Sequence, residues 1–420
     1  GADGLLHGSI SAKEILKKRK DGYELVRPGN NTLYFDEAGH MIREANQNHR
    51  GISFEYDSNG ILVEAKTDTG SSIKYIYEDD RLTRVLDHIG REVKLEYRNG
   101  VLYKAQMVSG TVYSYAYGQD GSISEIINAR DIVGVKNEYD IKNRVTHQEF
   151  PDGGTQDYHY DDDAKKVTLT ERNGSKIVYV HDDKFRNIET CYEDGTCERF
   201  LYNDKNQCIS MTDRNGNTRR MAYDPHGNMT QMVDATKRRW NMTYDANDNL
   251  LNVSINGKRI VNYRYDAKGN LLRSVNCYEH EVQFVNDEHG RPVKIVYPDG
   301  SEAHLEYDSQ GNMISIDEEG TGKTVYEYDE LNRVIKTKDS MKNEFCYGYD
   351  ESDQLISVVN ALGATRNYTY NESGKVTQLT DFDGYNVSLS YNELGRIAEY
   401  VDKEGNKLTY AYDKMWNIAS

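Results

Sequence analysis

Thirteen aspartates, among them Asp57, Asp140, Asp224, Asp266, Asp308 and Asp329, occupy the same place in a motif that recurs along this 420-residue chain. A regular ladder of carboxylates is first a candidate for calcium. Calcium takes roughly six to eight oxygens converging on one point, whereas one Asp per hairpin would lie along an edge about 10 Å from the next copy, two strand spacings away. The ladder is therefore expected to cap turns, each Asp accepting backbone N–H groups two residues on. Asp213-Arg214-Asn215-Gly216-Asn217 has some of the letters of a calcium loop with its glycine misplaced, and it reads as a turn. Asp161-Asp162-Asp163 and His181-Asp182-Asp183 read as solvated acidic turns. Among the five cysteines no CxxC occurs, so no zinc pattern is present. Cys191 and Cys197 flank the turn Tyr192-Glu193-Asp194-Gly195-Thr196, where a short hairpin loop would place them opposite one another and permit a cross-strand disulfide. Cys208 fills a slot that other copies give to Leu, Met or Val, and reads as a small hydrophobe. The eleven histidines are scattered, and no GxSxG, HExxH or phosphate-cradling glycine loop is present. No catalytic residue, metal site or cofactor is expected.

The elements that must carry these residues follow from the repeat. It runs apolar, any residue, aromatic, acidic, then Gly or Asn three residues later. The aromatic column includes Tyr56, Tyr139, Tyr223, Tyr244, Tyr265, Tyr307, Tyr328, Tyr349, Tyr370 and Tyr412, and from Tyr139 to Tyr412 the step is 21 residues thirteen times in succession. Only His181 and Asn286 interrupt it. The column two residues earlier is apolar in every copy but that of Asn137. Together the two columns hold 25 of the 34 tyrosines, so the tyrosine excess belongs to the architecture.

Residues at i and i+2 share one face of a strand, so the aromatic pair marks a strand with one packed face. The following Asp and the Gly or Asn, as at Gly60, Gly227, Gly269 and Gly311, suit a tight turn with a positive φ. Paired apolar residues such as Leu271-Leu272 and Met313-Ile314 then open a return strand, and a second turn such as Asp299-Gly300 leads to the next copy. Each repeat is one antiparallel hairpin. Nineteen copies give about 38 strands, too many for a flat sheet, since open sheets beyond about ten strands curl or split. The expected fold is all-β: about nineteen tandem 21-residue hairpins in a long antiparallel sheet coiled into a spiral or hollow barrel-like shell. Residues 1–20 are expected to be a lead-in, in part foreign to the natural protein, with Ser11–Lys20 the one short helix candidate. Residues 21–420 are expected to be one continuous array, cut short inside a copy at its C-terminal end.

The composition fits this scheme. Only 37% of residues are hydrophobic and the net charge is -17, figures that approach those of disordered chains, but the apolar residues are concentrated at fixed slots. No apolar run approaches the roughly eighteen residues of a membrane span, and no signal peptide opens the chain. So acidic a chain offers nucleic acid no basic face; the run Lys17–Lys20 reads as a solvated strand end.

The copies Tyr263-Arg264-Tyr265-Asp266-Ala267-Lys268-Gly269-Asn270-Leu271, Tyr326-Glu327-Tyr328-Asp329-Glu330-Leu331-Asn332-Arg333-Val334 and Phe54-Glu55-Tyr56-Asp57-Ser58-Asn59-Gly60 carry a family resemblance. They resemble the YD repeats of bacterial Rhs proteins, Tc toxin C components and teneurins, over about residues 21–420. The resemblance implies a strand ribbon spiralling into a hollow shell that encloses a C-terminal toxin, or an extracellular scaffold. It implies a secreted or cell-surface parent protein whose partners are a toxin or effector cargo and flanking shell regions. The Pro-containing segment that closes such shells and carries autoproteolytic aspartates has no counterpart, so no Asp is given a protease role. The expectation is a non-catalytic shell segment. The alternative is an adhesion module in which exposed tyrosine ladders, each ring keeping a hydroxyl for water or a partner, stack on sugar rings or contact partner proteins.

Overall fold

Most hairpins close on a four-residue turn that their own sequence builds, while those after Tyr77 and Tyr97 use the two-residue turns Asp79-Asp80 and Asn99-Gly100. In the copy after Tyr56, the Gly60 N–H donates to the Asp57 carbonyl at 3.1 Å and the Asp57 N–H to the Ile61 carbonyl at 2.9 Å. The fourth turn residue must be left-handed: Gly60 has φ 79° and Asn143, in the same slot, 57°. Phe185 and Trp416 occupy this slot as well, at 58° and 67°, where a bulky side chain is strained. Phe185 is 84% exposed and touches chiefly the His181 ring, 5.1 Å away. Phe185→Gly is expected to stabilise this hairpin by about 1 kcal/mol, read as a higher urea midpoint; a lower midpoint would show that the ring contact outweighs the strain.

The computed structural model describes residues 6–7, 14–27 and 31–419, so much of the expected lead-in falls outside the described residues. All regular structure among these is β: forty strands join one antiparallel sheet in which sequence neighbours pair, and the sheet does not close. The helix candidate at Ser11–Lys20 is corrected over its described part. Ile15–Arg19 is a strand paired with Gly22–Val26, with Ile15 opposite Val26 and Leu16 opposite Leu25. So short a segment does not offset the cost of helix nucleation, whereas cross-strand apolar pairs are available at once. The turn of this hairpin falls at Lys20–Asp21.

The paired apolar residues have a structural reason. Arg264 faces Arg273 but Tyr265 faces Leu271, which leaves Leu272 as an extra residue. The same shift recurs at Tyr56, Tyr139, Tyr223, Tyr244, Tyr307, Tyr349 and Tyr370. Each is a β-bulge, which bends and twists the ribbon; the copy of Tyr160 pairs without one. Burial is thin, as a single sheet layer requires: Leu33, Ala45, Ala105, Leu169, Val275, Ala303 and Leu305 are the buried hydrophobic residues among those described.

Contacts divide the chain into two compact units. One comprises Gly1–Lys74 with Glu198–Tyr326, the other Tyr75–Cys197 with Glu327–Ser420. Each unit thus combines two stretches of ribbon that are distant in sequence.

Candidate functional site

In much of the aromatic column the tyrosine hydroxyl bonds a main-chain carbonyl of the ribbon. Tyr244 Oη donates to the Met229 carbonyl at 2.9 Å, and Tyr56, Tyr223, Tyr307, Tyr349, Tyr370 and Tyr412 likewise reach the carbonyl fifteen residues earlier. Tyr139 reaches back sixteen, to Ile123. The reason lies in the ladder: pairing between Met229–Val233 and Arg239–Tyr244 begins at Gln231 opposite Asn241, so the Met229 carbonyl lies beyond the last rung and the phenol takes it. Asn286 repeats the bond with its amide, donating to the Leu271 carbonyl at 2.8 Å. Burial pushes the phenols of Tyr223, Tyr244, Tyr265, Tyr307, Tyr349 and Tyr370 above their ordinary pKa. Tyr265 also lies beside Tyr263, ring centroids 6.4 Å apart, and Tyr328 closes the strand Gly322–Tyr328. The expectation that the hydroxyl is kept for water or a partner is corrected where the bond is made: there it ties successive hairpins together.

The aspartates cap their own turns through both oxygens. Oδ1 of Asp57 accepts the N–H groups of Asn59 and Ile61, each at 2.9 Å, and Asp140, Asp266 and Asp329 accept from the equivalent pair. Asp224 and Asp308 accept the N–H four residues on. Oδ2 takes the side chain at that fourth position, which is Asn228, Asn270 or Asn312 in some copies and Arg144 or Arg333 in others. At Asp182 the Arg186 guanidinium is the chief cause of a pKa lowered to about 2. At Asp329 burial opposes the shift and is outweighed by bonds from Arg333 and the turn N–H groups. The arginine at this fourth position also covers the tyrosine of the next copy: Arg144 lies 4.0 Å from the Tyr160 ring centroid and Arg333 4.7 Å from that of Tyr349. These are cation–π contacts.

The two stretches of ribbon within each unit meet along their turns. In the first unit Asn48 Nδ2 donates to Asn270 Oδ1 at 3.0 Å. There, a Cβ on Gly290 would stand 2.3 Å from the side chains of both. In the second unit His88 Nε2 lies 2.9 Å from the Glu330 carbonyl. Arg91 donates to Asp353 at 2.8 Å and to the Glu351 carbonyl at 3.1 Å. Thr111 donates to the Glu372 carbonyl at 2.7 Å and Arg130 to that of Glu393 at 2.9 Å. Trp416 Nε1 donates to Asp152 at 3.2 Å. The Arg172 guanidinium is ion-paired with Asp152 and held between Phe150 and Trp416, 5.1 and 4.1 Å from the ring centroids. At His88, Arg91, Thr111 and Arg130 an inter-repeat turn of the earlier stretch reaches backbone carbonyls of an Asp- or Asn-capped turn of the later stretch, whereas Asn48 meets the Asn270 side chain and Trp416 donates the other way, to Asp152. Arg172→Lys keeps the charge but loses the planar stack; a loss of about 1–2 kcal/mol is expected, read as faster hydrogen exchange in the turn Asp413–Trp416.

Sequence reading missed these seam residues. The recurring Asp with Arg four residues later, as at Asp87 and Arg91, was the available signal, although only the coiling of the ribbon decides which copy it meets. Cys191 and Cys197 are joined as a disulfide, whereas Cys208, Cys277 and Cys346 are free thiols.

Two family models match the chain: a teneurin YD-shell over residues 199–318 and an RHS repeat over residues 349–385. Among solved structures, a crystal structure of TcdB2-TccC3-Cdc42 matches with a TM-score of 0.53 and 15% identity, over 97% of this chain and 29% of that one. The Photorhabdus luminescens Tc holotoxin pore matches with a TM-score of 0.53 and 14% identity, over 96% of this chain and 28% of that one. TcdB2-TccC3 without its hypervariable C-terminal region gives 0.52 and 14%, over 97% and 28%. At this identity the likeness is one of fold, and this chain spans under a third of the length of those it matches. Two stretches of the hairpin array, residues 199–318 and 349–385, are thus similar to the teneurin YD-shell and the RHS repeat.

Proposed function

We propose that the chain is a wall segment of an Rhs-type shell, a non-catalytic ribbon that keeps a toxin or effector polypeptide apart from its surroundings until delivery. The observation that carries this reading is the seam. A wall made from one ribbon must seal the gaps between successive passes, and here arginine, histidine, threonine and asparagine side chains bridge such passes to turn carbonyls and polar side chains within each unit. Bonds to main-chain carbonyls tolerate sequence change, as a scaffold needs. The fold shared with TcdB2-TccC3 structures supports the reading, as does the use of column aspartates in structural turn bonds. The parent protein is then secreted, with the cargo polypeptide as partner. No helix among the described residues is long and apolar enough to cross a membrane. Carbohydrate binding through the tyrosine ladders gains no support from the column phenols that donate to ribbon carbonyls.

The test is protease protection in the parent protein. The cargo polypeptide is expected to survive trypsin while the shell is native and to be digested once urea opens it. Digestion at equal rates in both conditions would overturn the proposal.

A further inference from the structure

We propose that the hairpin Asn187–Tyr192/Cys197–Tyr202 holds a reduction-gated site for a soft divalent cation, with Glu189, Cys191 and Cys197 as its three protein ligands. Glu189 and Cys191 stand two residues apart on one strand, opposite Val180 and Val178 of the preceding strand, and so point to the same face. Cys197 opens the facing strand, its Cα 4.1 Å from that of Cys191. The two sulfurs and a carboxylate oxygen of Glu189 all lie within 4.8 Å of one another, and all three residues are half-buried, open enough for a reductant to reach.

In the oxidised chain the sulfurs are bonded to each other and supply no thiolate. A dithiol reductant delivers two electrons and two protons: the S–S bond breaks, two thiols form, and the reductant closes to a cyclic disulfide. A divalent cation then displaces the two thiol protons and bonds two thiolates and the carboxylate, water completing a tetrahedron. That donor set suits zinc or cadmium. The ladder holds Glu189 and Cys191 in place after reduction, since the strand Asn187–Tyr192 is paired along its length with Lys176–His181. The site is independent of the wall reading; it would let one hairpin report passage from an oxidising to a reducing compartment.

The experiment uses the full chain carrying C208S, C277S and C346S, so that only the pair remains. After reduction by a phosphine, which takes up oxygen from water as the two thiols form, cadmium alone is titrated and followed by its ultraviolet thiolate charge-transfer band. One cadmium per reduced chain is expected, none per oxidised chain, and about tenfold weaker binding for Glu189→Gln, with an unchanged far-ultraviolet circular dichroism spectrum throughout. No uptake after reduction, equal uptake by the oxidised chain, undiminished affinity in E189Q, or loss of β signal on reduction would each overturn the proposal.

Discussion

Tyr307→Ala is expected to destabilise its hairpin by about 3–4 kcal/mol, the range for removing a packed aromatic, and to accelerate hydrogen exchange across Glu302–Tyr307 and Met313–Glu318. Three contributions coincide at this residue. Its ring lies beside the best-buried segment of the described chain, where Ala303 is 0%, Leu305 9% and Ser315 2% exposed. Its hydroxyl donates to the Pro292 carbonyl at 3.0 Å, which no rung satisfies, because pairing with the next strand begins at Lys294 opposite His304. Its face carries the Arg291 guanidinium at 4.5 Å, itself fixed by Asp287. Tyr307→Phe isolates the hydroxyl and is expected to cost about 1 kcal/mol. In a repeat array such losses stay largely with the copy and its neighbours, so exchange measured hairpin by hairpin, rather than a global melt, is the decisive readout. Equal exchange rates in wild type and Tyr307→Ala would mean that the tie contributes nothing.

Acid is expected to unfold the array cooperatively, and the aspartate turns fix where. Folding lowers the carboxyls of Asp140, Asp182, Asp213, Asp234, Asp329, Asp402 and Asp413 below their ordinary 3.8, to about 2 at Asp182 and Asp234. A depressed folded pKa gives stability that is complete above the unfolded pKa and is lost as pH falls through the folded one. The melting temperature should therefore hold level from about pH 7 to 5 and fall steeply from about pH 4 to 2. The fall is large because the same small contribution recurs in copy after copy. A decline beginning between about pH 7 and 6 would instead point to histidine.

The hairpins, both kinds of turn and the place of the disulfide were legible because each is decided within a few residues: an Asp with a Gly or Asn three residues later, or two cysteines flanking a short loop. The tyrosine ties were not, since a phenol's partner fifteen residues back depends on where the ladder's last rung falls. Asn286, which looked like a gap in the column, makes the same bond with its amide, so the column selects a donor reaching one carbonyl as much as an aromatic ring. The bulge appeared in sequence only as a doubled apolar pair such as Leu271-Leu272. Ile15–Arg19 looked open to helix formation because its basic tail hides the alternation that pairing with Gly22–Val26 imposes. The seam contacts of Arg91, Arg130 and Arg172 join residues more than 220 positions apart, a distance over which no local pattern carries information.

The tyrosine ties also set the mechanics of the ribbon. Since every tie reaches only into the neighbouring hairpin, tension on one end loads a single copy at a time, and the array should yield as a row of discrete events rather than one rupture. Each event would release about 70 Å of contour for a 21-residue repeat. One step should be short: while Cys191 and Cys197 remain joined, the loop between them cannot extend, which removes about 20 Å. In a force-extension trace that short step is a built-in fiducial mark, and adding reductant would restore its full length.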